Sequence, residues 1–280
     1  MIPDRLYVDD VITRALREDL NYIDVSTQYL IAPEHESDAV LLAKQAGVLC
    51  GLDIFLRVFE LTDNCFSAQK FYSDGDELNP GDVIARVHGK TVELLKDERT
   101  ALNLIQHMSG IATQTAACVK ELEGTSAVIA DTRKTLPGLR ALQKYAVTCG
   151  GGKNHRFNLS DAAMLKDNHI DAYGGIAAAV AALRKKTGHT VKIEVETRNL
   201  DEVQQALDAG ADIIMLDNMS TEDMKQAVKL VCGRVPVEAS GNLSAGGLRR
   251  VALTGVNIIS SGALTHSVKA LDISLKIVKR

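Results

Sequence analysis

Apolar and polar positions change rhythm twice along the 280-residue chain. From Val8 to Leu20 apolar residues recur at Val8, Val11, Ile12, Ala15, Leu16 and Leu20, the spacing of a helix with one buried face. Between Ser37 and His88 the apolar runs shorten to stretches such as AVLLAK and VIARV. Turn signals at Ser73-Asp74-Gly75-Asp76 and Asn79-Pro80-Gly81-Asp82 interrupt them, which predicts small antiparallel strands. Helical spacing returns from Lys96 to Leu122, with Ala101, Leu102, Leu104, Ile105, Met108, Ile111 and Ala112 on one face. This predicts one long helix linking two domains.

After that helix, short strand-like runs alternate with helical segments: AVIA (127–130), AML (163–165), VKIEV (191–195), IIML (213–216), VEA (237–239) and NIIS (257–260). The segments between them, such as Asn199 to Ala209 and Thr221 to Val231, have helical spacing and acids in their first turn. Strand followed by helix, repeated, predicts parallel βα units and an α/β class, with about six strands. In a barrel of such units the C-terminal strand ends converge on one face, where active sites are built. Those ends read Asp131-Thr132-Arg133-Lys134, Lys166-Asp167-Asn168, Glu196, Asp217-Asn218, Ser240-Gly241-Asn242 and Ser261-Gly262.

Composition narrows the class. With 46% apolar and 24% charged residues, disorder and fibrous repeats are excluded. The longest plainly apolar stretch, Gly174 to Leu183, is about half of the roughly 20 residues that span a bilayer, so no membrane segment is expected. The first residues place acids where a secretory signal needs a basic start, and a cytoplasmic location is expected. Five scattered cysteines without a C-x-x-C pair are expected to be reduced core residues. A net charge of −4 gives no case for a nucleic-acid partner. The window Asp131–Asp167 differs: seven Lys or Arg against three acids give it about +4.

That window points to an anionic ligand. Arg133, Lys134, His155, Arg156 and Lys166 around one pocket suit carboxylates or phosphates, which arginine grips with two parallel donors and lysine with a mobile point charge. Arg140, Lys144 and Lys153 are expected to be solvated surface charges. Glu196 and Asp217, on neighbouring strand ends, can hold Mg2+, directly or through water, or accept hydrogen bonds from sugar hydroxyls. Of the two acids on the VKIEVE strand, Glu196, nearer the strand end, is assigned to the lumen and Glu194 away from it. Ser240-Gly241-Asn242 and Ser261-Gly262-Ala263 each precede a helical segment, where backbone N–H groups bind phosphate. No histidine fits a zinc motif, and Asn168 and His169 suit ligand contact and loop support equally. A Schiff-base aldolase using Lys166, and an anion-binding regulator without turnover, are weaker readings of the same residues.

The run DTRKTLPGLRALQKYAVTCGGGKNHRFNLSDAAMLKDNHI (131–170), followed by IIMLDN, VEASGN and SSGALTHS, closely resembles the quinolinate phosphoribosyltransferase family, also called nicotinate-nucleotide pyrophosphorylase (carboxylating). ERTALNLIQHMSGIAT (98–113) resembles its interdomain helix. The resemblance implies an N-terminal α/β sandwich domain, here 1–107, and a C-terminal open, incomplete TIM-like α/β barrel, here 108–280, with a C-terminal helix over 265–280 packing back on the first domain. It implies a pentosyltransferase of NAD biosynthesis that moves phosphoribosyl from phosphoribosyl pyrophosphate to quinolinate with decarboxylation, giving nicotinate mononucleotide, pyrophosphate and CO2. Arg133, His155, Arg156 and Lys166 would hold the quinolinate carboxylates, with Arg99 reaching in from the partner of a homodimer. Thr132 and Lys134 would meet the phosphoribosyl pyrophosphate, Glu196 and Asp217 its ribose or Mg2+, and Ser240, Gly241, Asn242, Ser261, Gly262 and Ala263 its 5-phosphate. Lys134, Glu196 and Asp217 are the expected catalytic groups, with no organic cofactor. The nearest alternative is a nicotinate phosphoribosyltransferase without decarboxylation, whose monocarboxylate substrate needs fewer cations. Phe157-Asn158, Thr197-Arg198 and Ser261 depart from the family's usual residues at those places.

Overall fold

The computed structural model describes residues 3–20, 22–241 and 245–278. They form two compact units: Met1–Ala116 with Thr135–Gly151 and Ser267–Arg280, and Ala117–Lys134 with Gly152–His266.

The first unit is built on a four-stranded antiparallel sheet in the order Ile273–Ile277, Glu36–Ala43, Val83–Lys90, Ser67–Lys70. Burial alternates along Glu36–Ala43, and Ala39, Leu41 and Ala43 point into the core, the period-two pattern of a sheet with one covered face. The helix Leu52–Glu60 contributes Phe55 and Phe59 to that core, and their rings meet edge to face at 5.3 Å. Along the helix Thr91–Glu121, Leu94, Ala101, Leu102, Ile105, Met108, Ile111 and Ala112 are buried, so the periodic face is the packed face.

The C-terminus departs from expectation. Among the described residues of 265–280 there is no continuous helix; Ala263–His266 is one turn, and Ile273–Ile277 is a strand paired with Glu36–Ala43. The reason is visible in the pattern, because Ile273 and Leu275 are buried while Ser274 and Lys276 alternate with them, which is period two. The segment 135–151, which carries the helix Arg140–Cys149, belongs to the first unit although it interrupts the second in sequence.

The second unit holds a six-stranded sheet in the order Val128–Ala130, Ile258–Ser260, Val237–Ser240, Ile213–Asp217, Ile193–Thr197, Ala163–Leu165. Every pairing in it is parallel, and the two outer strands do not pair with each other, so the barrel is open. Helices follow the strands at Asp167–Tyr173, Ile176–Lys186, Leu200–Asp208, Thr221–Val231 and Leu248–Ala252. Two start at side-chain caps: Asn199 accepts from the Glu202 N–H and Ser220 from the Asp223 N–H, each with acids in the first turn. Val195, Ile214, Leu216, Ala239 and Ile259 are fully buried, as a parallel sheet covered on both faces requires. Among the described residues, no helix is long and apolar enough to cross a membrane.

Candidate active site

The C-terminal ends of the parallel strands enclose a cavity of about 510 Å³. Thr132, Arg133, Lys134, His155, Arg156, Lys166, Glu196, Asp217, Ser240, Gly241 and Gly262 line it, all of them residues singled out from sequence. Met164, Met215, Asn218 and Ser260 complete the wall. Four fixed cations thus face two carboxylates across one space, and the surplus of positive charge suits a polyanion.

The loop after Ala130 owes its shape to Asp131. This fully buried carboxylate accepts from the His155 backbone N–H at 2.9 Å and from the Asn154 amide, tying the Arg133 loop to the His155 loop. Lys153 adds a parallel bridge to Ala130. The Lys134 carbonyl accepts from the Thr265 hydroxyl at 2.8 Å, and the Lys134 N–H donates to Thr132 Oγ1 at 3.0 Å. Gly262 lies against the Lys134 stem, so close that a Cβ there would stand 2.8 Å from Lys134 Cδ.

Arg156 donates from Nη1 to the Ala162 carbonyl at 2.7 Å. Burial, and then the charge of Arg133 nearby, lower its pKa from the ordinary arginine value, a cost that an anion between the two guanidinium groups removes. Lys166 precedes the helix Asp167–Tyr173 and donates from Nζ to Glu196 Oε2 at 2.8 Å. His169 accepts from the Lys166 backbone N–H through Nδ1, so its place is in the support of the Lys166 turn. Asp217 accepts from the Asn218 amide at 3.1 Å. Asn218 has a left-handed backbone, φ 51°, and packs against Gly241, where a Cβ would fall 2.6 Å from Asn218 Oδ1.

His155 reaches below this ring of charge. Its Nδ1 accepts from the Arg156 N–H at 2.7 Å, and its Nε2 lies 3.1 Å from Glu194 and 3.5 Å from Glu238. Both carboxylates are buried. Burial, reinforced by the charge of Glu194, pushes the Glu238 carboxyl up to about 7. Glu194 therefore faces the lumen with Glu196, contrary to the expectation from sequence, because residues two apart on a strand share a face. Glu238 belongs to the same buried group, and its signal in the sequence is an acid in the middle of a buried parallel strand.

Other expected positions lie elsewhere. Ser260 lines the cavity, whereas the neighbouring Ser261 is buried and donates its N–H to the Ala130 carbonyl, and Ala263 begins the Ala263–His266 turn. Arg99 is exposed on the Thr91–Glu121 helix, within the first unit. Asn242 lies outside the described residues. Lys144 is not a solvated charge but is buried on the Arg140–Cys149 helix. No disulfide joins the cysteines in the structure, and not all are core residues: Cys50 and Cys118 are buried, Cys149 is half-buried, and Cys65 and Cys232 are exposed.

Known proteins carry the same design. Residues 24–109 match the N-terminal domain of quinolinate phosphoribosyl transferase, and residues 111–276 its C-terminal domain. The chain is 43% identical to a probable nicotinate-nucleotide pyrophosphorylase [carboxylating] of Bacillus subtilis, over 98% of this chain and 94% of that protein. It is 42% identical to a quinolinate phosphoribosyltransferase [decarboxylating] of Nicotiana tabacum, over 96% of this chain and 81% of that protein. The crystal structure of NadC from Streptococcus pyogenes superposes with a TM-score of 0.95 at 44% identity, covering 100% of both chains. The chain belongs to the quinolinate phosphoribosyl transferase family.

Proposed function

We infer that the chain transfers the phosphoribosyl group of phosphoribosyl pyrophosphate to the ring nitrogen of quinolinate, with loss of the 2-carboxyl as CO2. The products are nicotinate mononucleotide and pyrophosphate, and the step belongs to NAD biosynthesis. The observation that carries this reading is the convergence of Arg133, His155, Arg156 and Lys166 on the cavity that Glu196 and Asp217 also line. Quinolinate offers two adjacent carboxylates, and the three cations Arg133, Arg156 and Lys166 match them as a monocarboxylate would not, while His155, accepting from the Arg156 N–H and facing Glu194, holds the loop that carries Arg156.

Positioning dominates the chemistry. The pyridine nitrogen is a weak nucleophile beside a carboxylate, so clamping both carboxylates removes the orientational freedom that would keep it from C1 of the ribose. The Met164 and Met215 side chains give the ring an apolar, adaptable wall. As the bond from C1 to pyrophosphate breaks, the sugar carbon gains cationic character, which the carboxylates of Glu196 and Asp217 offset, while Lys134 receives charge on the departing pyrophosphate. The bond from ring nitrogen to C1 then makes the ring an electron sink. The pair released when the 2-carboxyl leaves stays on the ring, and C2 takes up a proton.

The hard oxygen donors of Glu196 and Asp217, at adjacent strand ends in one polar cavity, fit Mg2+ bound directly or through water. Mg2+ held there with the pyrophosphate supplies charge neutralisation. The chemistry needs no organic cofactor. Gly241 and Gly262, with the backbone around Ser240 and Ser260, form the wall assigned to the 5-phosphate.

A homodimer completes the site, with Arg99 serving the neighbouring copy. Its exposure on the Thr91–Glu121 helix, and the exposed Leu6, Tyr22, Val25, Tyr29 and Leu30 of the same unit, support such a contact. The substrates are small anions, with no nucleic acid or membrane partner, and the location is cytoplasmic. Arg133→Ala tests the reading: the quinolinate KM should rise and kcat fall together, while Glu196→Ala should act mainly on the KM for phosphoribosyl pyrophosphate. Wild-type kinetics in Arg133→Ala would overturn it.

A further inference from the structure

Away from the anion cavity, in the first unit, a second group of reactive side chains converges. Cys50, Asp74 and Cys149 bring two sulfurs and a carboxylate oxygen within 4.8 Å of one another. Neither cysteine lines the anion cavity, and no disulfide joins them in the structure.

The two cysteines are 99 positions apart in the chain, yet one helix fixes both. On one side, Ser109 holds the Cys50 backbone by two hydrogen bonds: its Oγ accepts from the Cys50 N–H at 2.9 Å and donates to the Cys50 carbonyl at 3.1 Å. Gly51 then lies so close to Met108 that a Cβ there would stand 2.9 Å from its sulfur. On the other side, Gly150, directly after Cys149, presses on the same helix, where a Cβ would come within 2.3 Å of the Ala112 carbonyl oxygen. Ser109 and Ala112 are three residues apart and so share a face of that helix. The facing of the two thiols is therefore built into the packing.

Asp74 is already committed. Its carboxylate accepts from the Gly51 and Leu52 N–H groups, capping the helix Leu52–Glu60, and from the Tyr145 hydroxyl at 2.9 Å. With three of its lone pairs in use it is a poor ligand for a metal ion, which leaves the dithiol as the reactive element.

We propose that Cys50 and Cys149 form a reversible disulfide, with the half-buried Cys149 as the thiol that meets the oxidant and the buried Cys50 as the thiol that resolves it. The environments divide the roles in the same direction. The Cys50 thiol, donating to Cys149, holds the Cys149 pKa below the usual thiol range, whereas burial pushes that of Cys50 well up. With hydrogen peroxide as oxidant, the Cys149 thiolate attacks one peroxide oxygen, the O–O bond breaks, and hydroxide leaves, giving a sulfenic acid. The Cys50 sulfur then attacks the Cys149 sulfur; the hydroxyl departs and takes the Cys50 proton as water. Two thiols and one peroxide give one disulfide and two waters. Closing a loop of about 100 residues restricts the unfolded chain strongly and favours the product.

The test is a thiol count on the intact protein, oxidised with hydrogen peroxide, then denatured and alkylated. Oxidation should remove two of the five thiols and about 2 Da of mass, join the peptides carrying Cys50 and Cys149, and reverse with dithiothreitol. Cys149→Ser should abolish the cross-link. Cys50→Ser should instead leave a sulfenic acid at position 149 that dimedone traps, so the roles are read separately and in folded protein. Retention of all five thiols, a cross-link between other cysteines, or stoichiometric Zn2+ bound by the reduced pair with loss of its reactivity would each overturn the proposal.

Discussion

The imidazole of His155 lies 3.1 Å from Glu194, a carboxylate that is buried beneath the cavity rather than within it. The ring is thereby held between its neighbour's N–H on one side and buried acid on the other, and its position is set before any ligand arrives. Glu194→Ala removes the partner that aims Nε2. Leaving a buried polar group unsatisfied costs about 1–3 kcal/mol, so kcat/KM for quinolinate should fall by about 5- to 150-fold, with a lower Tm. Glu194→Gln keeps an acceptor and should recover part of the loss. Steady-state kinetics with thermal melts on the two variants check this.

Lys166 and Glu196 make a different kind of pair, 2.8 Å long, with the lysine side chain 47% exposed. Half-exposed pairs contribute little to folding, about 0–1 kcal/mol, so Lys166→Ala should hardly move Tm. Its cost falls on turnover. Losing a charge-assisted hydrogen bond to a carboxylate of about 1.5–3 kcal/mol should lower kcat/KM for quinolinate by about 10- to 150-fold. A large loss of stability with unchanged kinetics would contradict the assignment.

Gly262→Ala tests the close approach to Lys134. The added methyl would stand 2.8 Å from Lys134 Cδ, and the flexible lysine stem must give way. The KM for phosphoribosyl pyrophosphate should rise by about tenfold while that for quinolinate stays near its wild-type value. Equal effects on both substrates would show that the glycine supports the fold rather than the lysine.

The pH dependence of stability has a defined sign. Burial raises Asp97 from 3.8 to about 6 in the first unit, although the Thr62 hydroxyl donates to it. The folded state then binds more protons than the unfolded state between these values, so this contribution is full below about pH 4 and is lost as pH rises through about 6. Roughly two pKa units correspond to about 3 kcal/mol. Asp97→Asn, which keeps an acceptor for Thr62, should be more stable than the wild type at pH 7 and show a flatter profile between pH 4 and 6. Denaturant melts across that range measure it.

Much of the second unit was legible in the chain because parallel strands are short, buried and punctuated by capped helices. The run IIML became the strand Ile213–Asp217, and Thr221–Val231 is the helix its spacing predicts. The cavity-lining residues at the strand ends were legible for the same reason: Arg133, Lys166, Glu196 and Asp217 stand where a barrel opens. Residues that act through others were harder to find. Asp131 shows its purpose only once Asn154 and His155 fold back onto it, from 23 and 24 positions away. The strand Ile273–Ile277 was missed because its partner, Glu36–Ala43, lies at the other end of the chain, and a five-residue alternation is a weak signal. Cys50 and Cys149 gave no sequence motif at all, since their facing depends on Ser109 and Gly150 packing on one helix.

Product stoichiometry distinguishes a dicarboxylate substrate from a monocarboxylate one. With quinolinate, phosphoribosyl pyrophosphate and Mg2+, CO2 and nicotinate mononucleotide should appear in equal amounts, and nicotinate should be inert as a replacement for quinolinate. Turnover of nicotinate without release of CO2 would contradict the account and assign the cation cluster to a substrate with a single carboxylate.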